Sequence, residues 1–152
     1  ERVFFGYNAV GNMHFMSGAN AARAEAAKKR AANGLPDRYI LASARFIEKK
    51  NLPALVSAYG KALDAVEIAP DLVILGDGPM RPALVDAINR QGIQQRVHLP
   101  GFRSYDLLPT YYGLAEGFAH VSRVEQWGLV INEAMASGIP VIVSKSCGAS
   151  QA

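Results

Sequence analysis

The chain has 152 residues, of which 50% are hydrophobic and 19% charged, with a formal net charge of +3 at pH 7. These values predict one folded domain with a core of its own, and no apolar run is long enough to cross a bilayer. Basic residues are scattered, without the aromatic-interleaved stripe typical of nucleic-acid binding, so we expect no nucleic-acid partner. The single cysteine, Cys147, excludes an internal disulfide and favours a reducing, cytoplasmic compartment.

The first 19 residues are predicted to form a lead-in or hinge segment, ahead of a ligand-binding domain over residues 20–152. An apolar run at residues 2–5 is followed by turn residues at 7–8 and 11–12. An alanine-rich pattern over residues 20–33 predicts a helix, with Asn20 as its cap.

Short β-rich runs alternate with helical patterns from residue 39 onward. This alternation predicts an α/β fold with a doubly wound parallel sheet, covered by helices on both faces. Five strands are predicted, at residues 39–44, 71–75, 97–99, 117–121 and 141–143.

Three of the predicted connecting helices carry apolar residues on one side, and the third of them is predicted to be capped by Ser104. These residues are Leu55, Val56, Tyr59, Leu63 and Val66 in the first helix, Leu84, Val85 and Ile88 in the second, and Leu107, Leu108, Tyr111 and Tyr112 in the third.

Two glutamates, Glu125 and Glu133, flank the turn and the helix start after the fourth predicted strand. A glycine at the helix start, Gly128, leaves backbone N–H groups free, and those groups with the helix dipole favour an anion such as a diphosphate. Ionised carboxylates only accept hydrogen bonds, so they suit sugar or ribose hydroxyls beside the phosphates. The junction therefore predicts a sugar-nucleotide site, although two glutamates at this spacing alone are typical of a solvated helix face.

Two cations, Arg45 and Lys50, follow the first predicted strand. Singly, each is typical of a surface charge, but a doubly wound sheet binds ligands at the carboxyl ends of its strands. No Asp-x-Asp occurs in the chain, so we expect no metal ligands and metal-independent chemistry. Trp127 has the alternative of a core aromatic, and Gly128 that of a plain helix-start glycine.

The chain has three histidines, to which we assign no role. A lone histidine on or beside a strand is more often a hydrogen-bonded structural residue than a catalyst. These histidines are His14, His98 and His120.

Four segments carry a family resemblance: residues 43–52 (SARFIEKKNL), 75–79 (LGDGP), 99–102 (LPGF) and 125–141 (EQWGLVINEAMASGIPV). Together they resemble the carboxy-terminal, donor-binding domain of the retaining glycosyltransferases of the GT-B fold, known as group 1 or family 4. The glutamate pair with the Ala-Met-Ala-Ser-Gly-Ile-Pro-Val that follows is the most specific of these features. The resemblance implies a Rossmann-like, C-terminal half of such an enzyme, truncated before the last strand and closing helices.

The resemblance implies a catalytic set in which Glu125 contacts hydroxyls of the transferred sugar while Arg45 and Lys50 grip the diphosphate. Glu133 would hold the ribose of the nucleotide. The other implied substrate-binding residues are Gln126, Trp127, Gly128, Leu129 and Val130, the last four through backbone N–H groups, and Gly101, Phe102 and Arg103 in a loop that borders the base.

The resemblance also implies an enzyme, a retaining hexosyltransferase-type glycosyltransferase of polysaccharide or glycolipid biosynthesis. It would need no cofactor, with a nucleotide-diphosphate sugar as donor substrate. The acceptor, which would be lipid-linked, a polysaccharide or a small molecule, would be bound by an amino-terminal domain that this chain lacks, so the isolated fragment is expected to be inactive. We expect a cytoplasmic location, with peripheral association of the full-length enzyme at the inner face of the membrane.

Two other functions remain open at this point. One is a noncatalytic nucleotide-sugar-binding module, which would share the same site residues. The other is a dinucleotide oxidoreductase, which is disfavoured because no Gly-x-Gly-x-x-Gly turn follows the first predicted strand.

Overall fold

The computed structural model describes residues 10–151, so the predicted apolar run at 2–5 and the turn at 7–8 lie outside the described residues. Helices and strands alternate through most of this range. In chain order the elements are α1 Asn12–Ala24, α2 Ala26–Asn33, β1 Tyr39–Ser43, α3 Leu52–Ala65, β2 Asp71–Leu75, α4 Arg81–Gln91, β3 Val97–Gly101, α5 Leu108–Gly113, β4 Gly117–His120, α6 Leu129–Ala136 and β5 Val141–Val143.

The five strands form one parallel sheet in the order β3-β2-β1-β4-β5. The chain moves outward from β1 to β3, then returns to place β4 on the other side of β1. The strand order therefore reverses between β1 and β4, and the crevice at the carboxyl ends of such strands is where doubly wound sheets bind ligands. The predicted fold class is confirmed.

Strand β2 shows how the sheet separates two cores. Leu72 and Ile74 pack with residues of α3 and α4, whereas Val73 and Leu75 pack with residues of α1, α5 and α6. Successive side chains of a strand point to opposite faces, so this continuous apolar run is buried on both sides.

The first helical region differs from its prediction. Helix α1 begins at Asn12, well before residue 20, and Asn20 lies inside it rather than capping it. Gly18 has a low helix propensity, but a Cβ at this position would lie 2.5 Å from the Cβ of Pro109. Close packing of α1 on α5 therefore outweighs the local propensity. The domain division at residue 20 stays a prediction.

Three apolar positions assigned to helix cores are wrong. Val66 follows the end of α3, and Val85 points outward from α4, so both side chains are exposed. Helix α5 begins at Leu108, with Pro109 in its first turn, so Leu107 precedes it and is exposed. The predicted cap by Ser104 is also wrong, because no side chain caps this helix.

Candidate functional site

The loops that follow β1 and β4 form one surface at the reversal of strand order. The first loop carries Arg45 and Lys50, and the second carries Glu125. The backbone N–H of Arg123 donates to the carbonyl oxygen of Lys49 at 2.8 Å, which joins the two loops directly. Predicted residues far apart in the sequence are thereby brought together.

Lys50 and Glu125 form an ion pair in which Nζ donates to Oε2, and each side chain is only 14% exposed. Burial alone would raise the pKa of Glu125. The hydrogen bond and the charge of Lys50, with a smaller contribution from His120, outweigh burial and hold that pKa below its ordinary value. Glu125 is therefore an ionised acceptor at neutral pH.

His120 is the site residue that the sequence analysis missed. It ends β4, is 3% exposed, and its Nε2 lies 3.2 Å from Oε2 of Glu125 and 3.0 Å from Oγ of Ser122. Burial lowers the pKa of His120 and outweighs the hydrogen bond to Glu125, so the imidazole is neutral at pH 7. The sequence does place His120 at the carboxyl end of a predicted strand, where ligands bind in this class of fold. Only the strand order shows that this end of β4 adjoins Lys50.

Arg45 lies on a second part of the site, a cavity of about 300 Å³ at the ends of β1, β2 and β3. Three other predicted residues, Phe102, Arg103 and Val130, line the same cavity. Phe102 is 79% exposed, whereas Nε of Arg103 donates to the hydroxyl of Tyr111 at 2.6 Å. The predicted loop after β3 thus borders the cavity that holds Arg45.

The Gly-Asp-Gly-Pro motif at residues 76–79 supports the loop after β1. Gly76 has a φ of +115°, and a Cβ there would lie 1.9 Å from the carbonyl oxygen of Ala44. The N–H of Phe46 donates to the carbonyl oxygen of Asp77 at 2.8 Å. A side chain at position 76 would push the loop after β2 away from the loop after β1, which explains the glycine at this position.

Gly101, another predicted residue, ends β3 with a φ of +86°. Its carbonyl oxygen accepts a hydrogen bond from the N–H of Gly76 at 3.0 Å. This hydrogen bond joins the end of β3 to the glycine motif, although Gly101 itself is not among the residues that line the cavity.

Gly128 precedes α6 with a φ of +94°, and a Cβ there would lie 2.9 Å from Cδ1 of Ile131 and 3.3 Å from Cγ of Glu125. Within residues 10–151, no hydrogen bond uses the N–H groups of Gly128, Leu129 or Val130. These three N–H groups therefore remain available to a ligand at the start of α6, beside the first glutamate.

Gln126 and Trp127 are held by the segment after β5. The N–H of Ala149 donates to the carbonyl oxygen of Trp127 at 3.2 Å, and a Cβ on Gly148 would lie 2.0 Å from the carbonyl oxygen of Gln126. The indole Nε1 of Trp127 donates to Oδ1 of Asn132 at 3.0 Å. The half-buried indole is thus attached to α6, and the Gln126 side chain is exposed.

Glu133 lies on α6, one turn after Val130 and on the same side of the helix. Its Oε2 accepts a hydrogen bond from the hydroxyl of Tyr112 at 2.8 Å. Burial raises the pKa of Glu133 more than this hydrogen bond lowers it. In the part of the chain that the structure describes, no hydrogen bond or ion pair joins Glu133 to Glu125, Lys50 or Arg45. Helix α6 instead places Glu133 on the same element as Leu129 and Val130, at its start.

Two further properties concern membranes and metals. Among the helices of residues 10–151, none combines the length and apolar character needed to cross a bilayer. In the same range, no three His, Cys, Asp or Glu side chains come together as metal ligands. Independence from metal ions stays a prediction.

Together, the fold and the site define a Rossmann-like domain of the GT-B class, with its candidate ligand site at the switch in strand order. The family model described as glycosyl transferases group 1 matches residues 24–152, and the chain belongs to this family. The predicted resemblance to its donor-binding domain is confirmed.

Several relatives share this domain. The GDP-mannose-dependent alpha-(1-6)-phosphatidylinositol monomannoside mannosyltransferase of Mycobacterium tuberculosis is 34% identical over 136 residues, which cover 85% of this chain and 34% of that protein. Alpha-D-kanosaminyltransferase of Streptomyces kanamyceticus is 40% identical over 70 residues, 46% of this chain and 18% of that protein. The crystal structure of Anabaena HepE with UDP and glucose has a TM-score of 0.75 at 26% identity, covering 95% of this chain and 39% of that one. The chain thus spans between 18% and 34% of the length of these curated relatives.

Proposed function

We propose that this chain is the donor-binding domain of a retaining glycosyltransferase and binds a nucleotide-diphosphate sugar. The observation that carries the proposal is that Glu125, paired with Lys50, adjoins Gly128, where the start of α6 presents three N–H groups without partners among the described residues. The likeness to HepE, whose structure holds UDP and glucose, and to a GDP-mannose-dependent mannosyltransferase supports this ligand class.

Lys50 and Arg45 would stabilise the negative charge that develops on the nucleotide as it leaves. When the bond between the sugar C1 and the diphosphate breaks, the diphosphate oxygen takes the electron pair and gains negative charge. Lys50 has three N–H donors, so it can remain paired with Glu125 while it donates to a phosphate. Arg45 on the cavity wall would neutralise the same charge with its planar guanidinium.

The carboxylates of Glu125 and Glu133 would accept hydrogen bonds from hydroxyl groups of the ligand. Glu125 is ionised and would accept hydrogen bonds from the transferred sugar, while Glu133 would accept them from the ribose. The N–H groups of Leu129 and Val130 would meet the phosphates. Phe102 and Arg103 would border the base at the mouth of the cavity.

Retention of configuration and independence from metal ions are parts of the proposal that rest on the family resemblance.

The acceptor belongs to another part of the full-length enzyme. Relatives that act on lipids include the phosphatidylinositol monomannoside mannosyltransferase and the alpha-monoglucosyldiacylglycerol synthase of Acholeplasma laidlawii, which is 30% identical over 66% of this chain. We therefore propose a lipid-linked or polysaccharide acceptor, bound by an amino-terminal domain, and a cytoplasmic enzyme that works at the inner face of the membrane.

A ligand screen tests the proposal. The 152-residue chain is titrated with UDP-glucose, GDP-mannose and ADP-glucose at millimolar concentration, followed by two-dimensional NMR of backbone amides and by thermal melting. At least one of these compounds should raise the Tm and shift the amide signals of Gly128, Leu129 and Val130. No response to any of the three would contradict the proposal.

A pair of arginine variants tests the assignment of the diphosphate site. Arg45→Gln should weaken binding of the responding nucleotide by about 10- to 100-fold, because charge-assisted hydrogen bonds to phosphate are lost. Arg90→Gln is the matched control, because Arg90 lies in the exposed last turn of α4 and should leave affinity unchanged. Equal losses in both variants would show that Arg45 acts only through net charge.

A further inference from the structure

His120 belongs to a cluster of polar side chains beneath the carboxylate of Glu125. His120 and Ser122 are both buried, and both lie in or next to β4. Nε2 of His120 is 3.2 Å from Oε2 of Glu125, and Oγ of Ser122 is 3.5 Å from the same oxygen. The rigid end of a strand therefore holds two polar groups against this glutamate.

The contacts of His120 favour one position for its ring proton. The ionised carboxylate of Glu125 can only accept hydrogen bonds, so the nitrogen that faces it must be a donor. A neutral imidazole has one N–H group, which here is at Nε2, and Nδ1 is then the acceptor. Oγ of Ser122, 3.0 Å from Nε2, lies close enough to share this N–H and donates its own proton toward Glu125.

All of these contacts fall on one oxygen of the glutamate. Lys50, His120 and Ser122 converge on Oε2 of Glu125, whereas no hydrogen bond formed within residues 10–151 uses Oε1. A carboxylate accepts at both oxygens. Oε1 therefore keeps its full capacity for a ligand hydroxyl, and the plane of the carboxylate is set from one side.

We propose that His120 is a positioning residue whose Nε2–H group holds Oε2 of Glu125, so that Oε1 meets a hydroxyl of the transferred sugar. This inference rests on the proposed function, in which Glu125 binds that sugar. Lys50 is less suited to orient the carboxylate alone, because its flexible side chain is shared with the diphosphate. A buried imidazole at the end of a strand keeps its place whether or not the nucleotide is bound.

The test compares two affinities in each variant, for UDP-glucose and for UDP, with GDP-mannose and GDP as a second pair of probes. The ratio of the two affinities isolates the contribution of the sugar. His120→Leu removes the N–H group at similar volume and should reduce the ratio by about 5- to 10-fold, with UDP affinity unchanged. His120→Gln, which keeps an N–H group near the position of Nε2, should restore the ratio to within about twofold of the wild type.

A second histidine offers a matched control. His98 on β3 also hydrogen-bonds a carboxylate, that of Asp71 at 2.7 Å. Asp71 is the first residue of β2, so this pair lies toward the amino ends of the strands, away from the candidate site. His98→Leu should leave the ratio unchanged. An unchanged ratio in His120→Leu, or an equal loss in His98→Leu, would overturn the inference. If His120→Leu does not fold, His120→Asn takes its place, because the shorter amide does not reach Oε2 of Glu125.

A measurement without any ligand separates the two proposals. Long-range proton–nitrogen NMR of the wild-type imidazoles shows which nitrogen of His120 carries the proton at pH 7, and Nε2 is expected. A proton on Nδ1 would overturn the inference and leave nucleotide-sugar binding intact. Failure of the wild type to bind any of these four probes or ADP-glucose would overturn the proposed function, and the sugar-facing part of the inference with it.

Discussion

At the scale of single residues, Glu133 shows how burial sets the chemistry of a side chain. Its carboxylate is half-buried on α6 and accepts a hydrogen bond from Tyr112, whose own side chain is fully buried. Burial raises the pKa of Glu133, whereas Lys50 holds the pKa of Glu125 low. The two glutamates of the motif therefore differ in electrostatic environment although they are the same residue type.

Removal of the Glu133 carboxylate should separate ligand binding from folding. Glu133→Ala is expected to weaken UDP or GDP binding by about 1 to 3 kcal/mol, because ribose hydroxyls lose their acceptor. Isothermal titration calorimetry measures the affinity, and circular dichroism confirms that the fold is kept. Glu133→Gln is the control for the hydroxyl of Tyr112, since it retains a side-chain carbonyl. Loss of the fold in Glu133→Ala would count against a ligand role.

The raised pKa of Glu133 also predicts a pH dependence of stability. The folded protein binds this proton more tightly than the unfolded chain, whose pKa is near the ordinary 4.5. Stabilisation from this group is fully present below pH 4.5 and is lost as the pH rises through the folded-state pKa. The free energy of unfolding of the wild type, minus that of Glu133→Gln, should therefore fall from below pH 4.5 toward neutral pH in urea denaturation.

The titration of Glu125 does not affect the difference in free energy of unfolding between the wild type and Glu133→Gln. Its lowered pKa contributes stability that is present above pH 4.5 and lost as the pH falls through its folded-state pKa, but both proteins carry the same Glu125. The effect therefore cancels in the difference as long as the two glutamates act independently. A difference that rises with pH would contradict the assigned environment of Glu133.

At the scale of elements, helix α6 has a glycine with a left-handed backbone at each end. Gly128 precedes it with a φ of +94°, and Gly138 follows it with a φ of +75°. A Cβ at Gly138 would meet nothing closer than Nη2 of Arg23 at 3.9 Å, whereas a Cβ at Gly128 would press against Ile131 and Glu125. Both positions have a positive φ, which favours glycine, but only Gly128 adjoins the candidate site.

Alanine at these two glycines should therefore have different effects on function. Both substitutions should lower stability by about 1 to 2 kcal/mol, because L-residues are strained in this backbone region. Gly128→Ala should also weaken nucleotide-sugar binding by about tenfold or more, because displacement of Glu125 and of the N–H groups breaks the site geometry. Calorimetric affinities beside urea denaturation measure both effects. An equal loss of affinity in Gly138→Ala would contradict this account of Gly128.

At the scale of the whole molecule, the site is made by the return of the chain from β3 to β4. Lys50 and Glu125 are 75 residues apart in sequence, and they meet because β4 pairs with β1. The chain spans between 18% and 34% of the length of the curated relatives reported above. In the proposed function, this chain supplies the donor-binding groups and an amino-terminal domain binds the acceptor.

The 152-residue chain is therefore expected to bind a nucleotide sugar without transferring it. Mixing the chain with UDP-glucose or GDP-mannose and a lipid acceptor should yield no glycosylated product, as measured by mass spectrometry. The same sequence joined to the proposed amino-terminal, acceptor-binding domain should yield product. Tight binding without transfer in the joined protein would favour the noncatalytic nucleotide-sugar-binding module instead.

Local patterns predicted much of this molecule. Continuous apolar runs such as residues 72–75 predict buried strands, because the hydrophobicity of a few neighbouring residues is enough to indicate burial. Gly34 and Gly92 follow the last residues of α2 and α4 with positive φ values of +61° and +68°, the usual place of glycine at a helix end. The family resemblance, carried by residues 125–141 above all, implied the fold class and the family, both of which are confirmed.

The tertiary structure alone decided the strand order, and with it the contacts of the site. The sequence alone indicates no role for His120, because nothing near it in sequence distinguishes it from a structural histidine. The early start of α1 depends on the fit of Gly18 against Pro109, which no local propensity encodes. Periodicity reports which face of an element is buried, whereas the partner that covers it depends on long-range packing. The grouping of His120 with Lys50 and Glu125 is therefore a consequence of the fold.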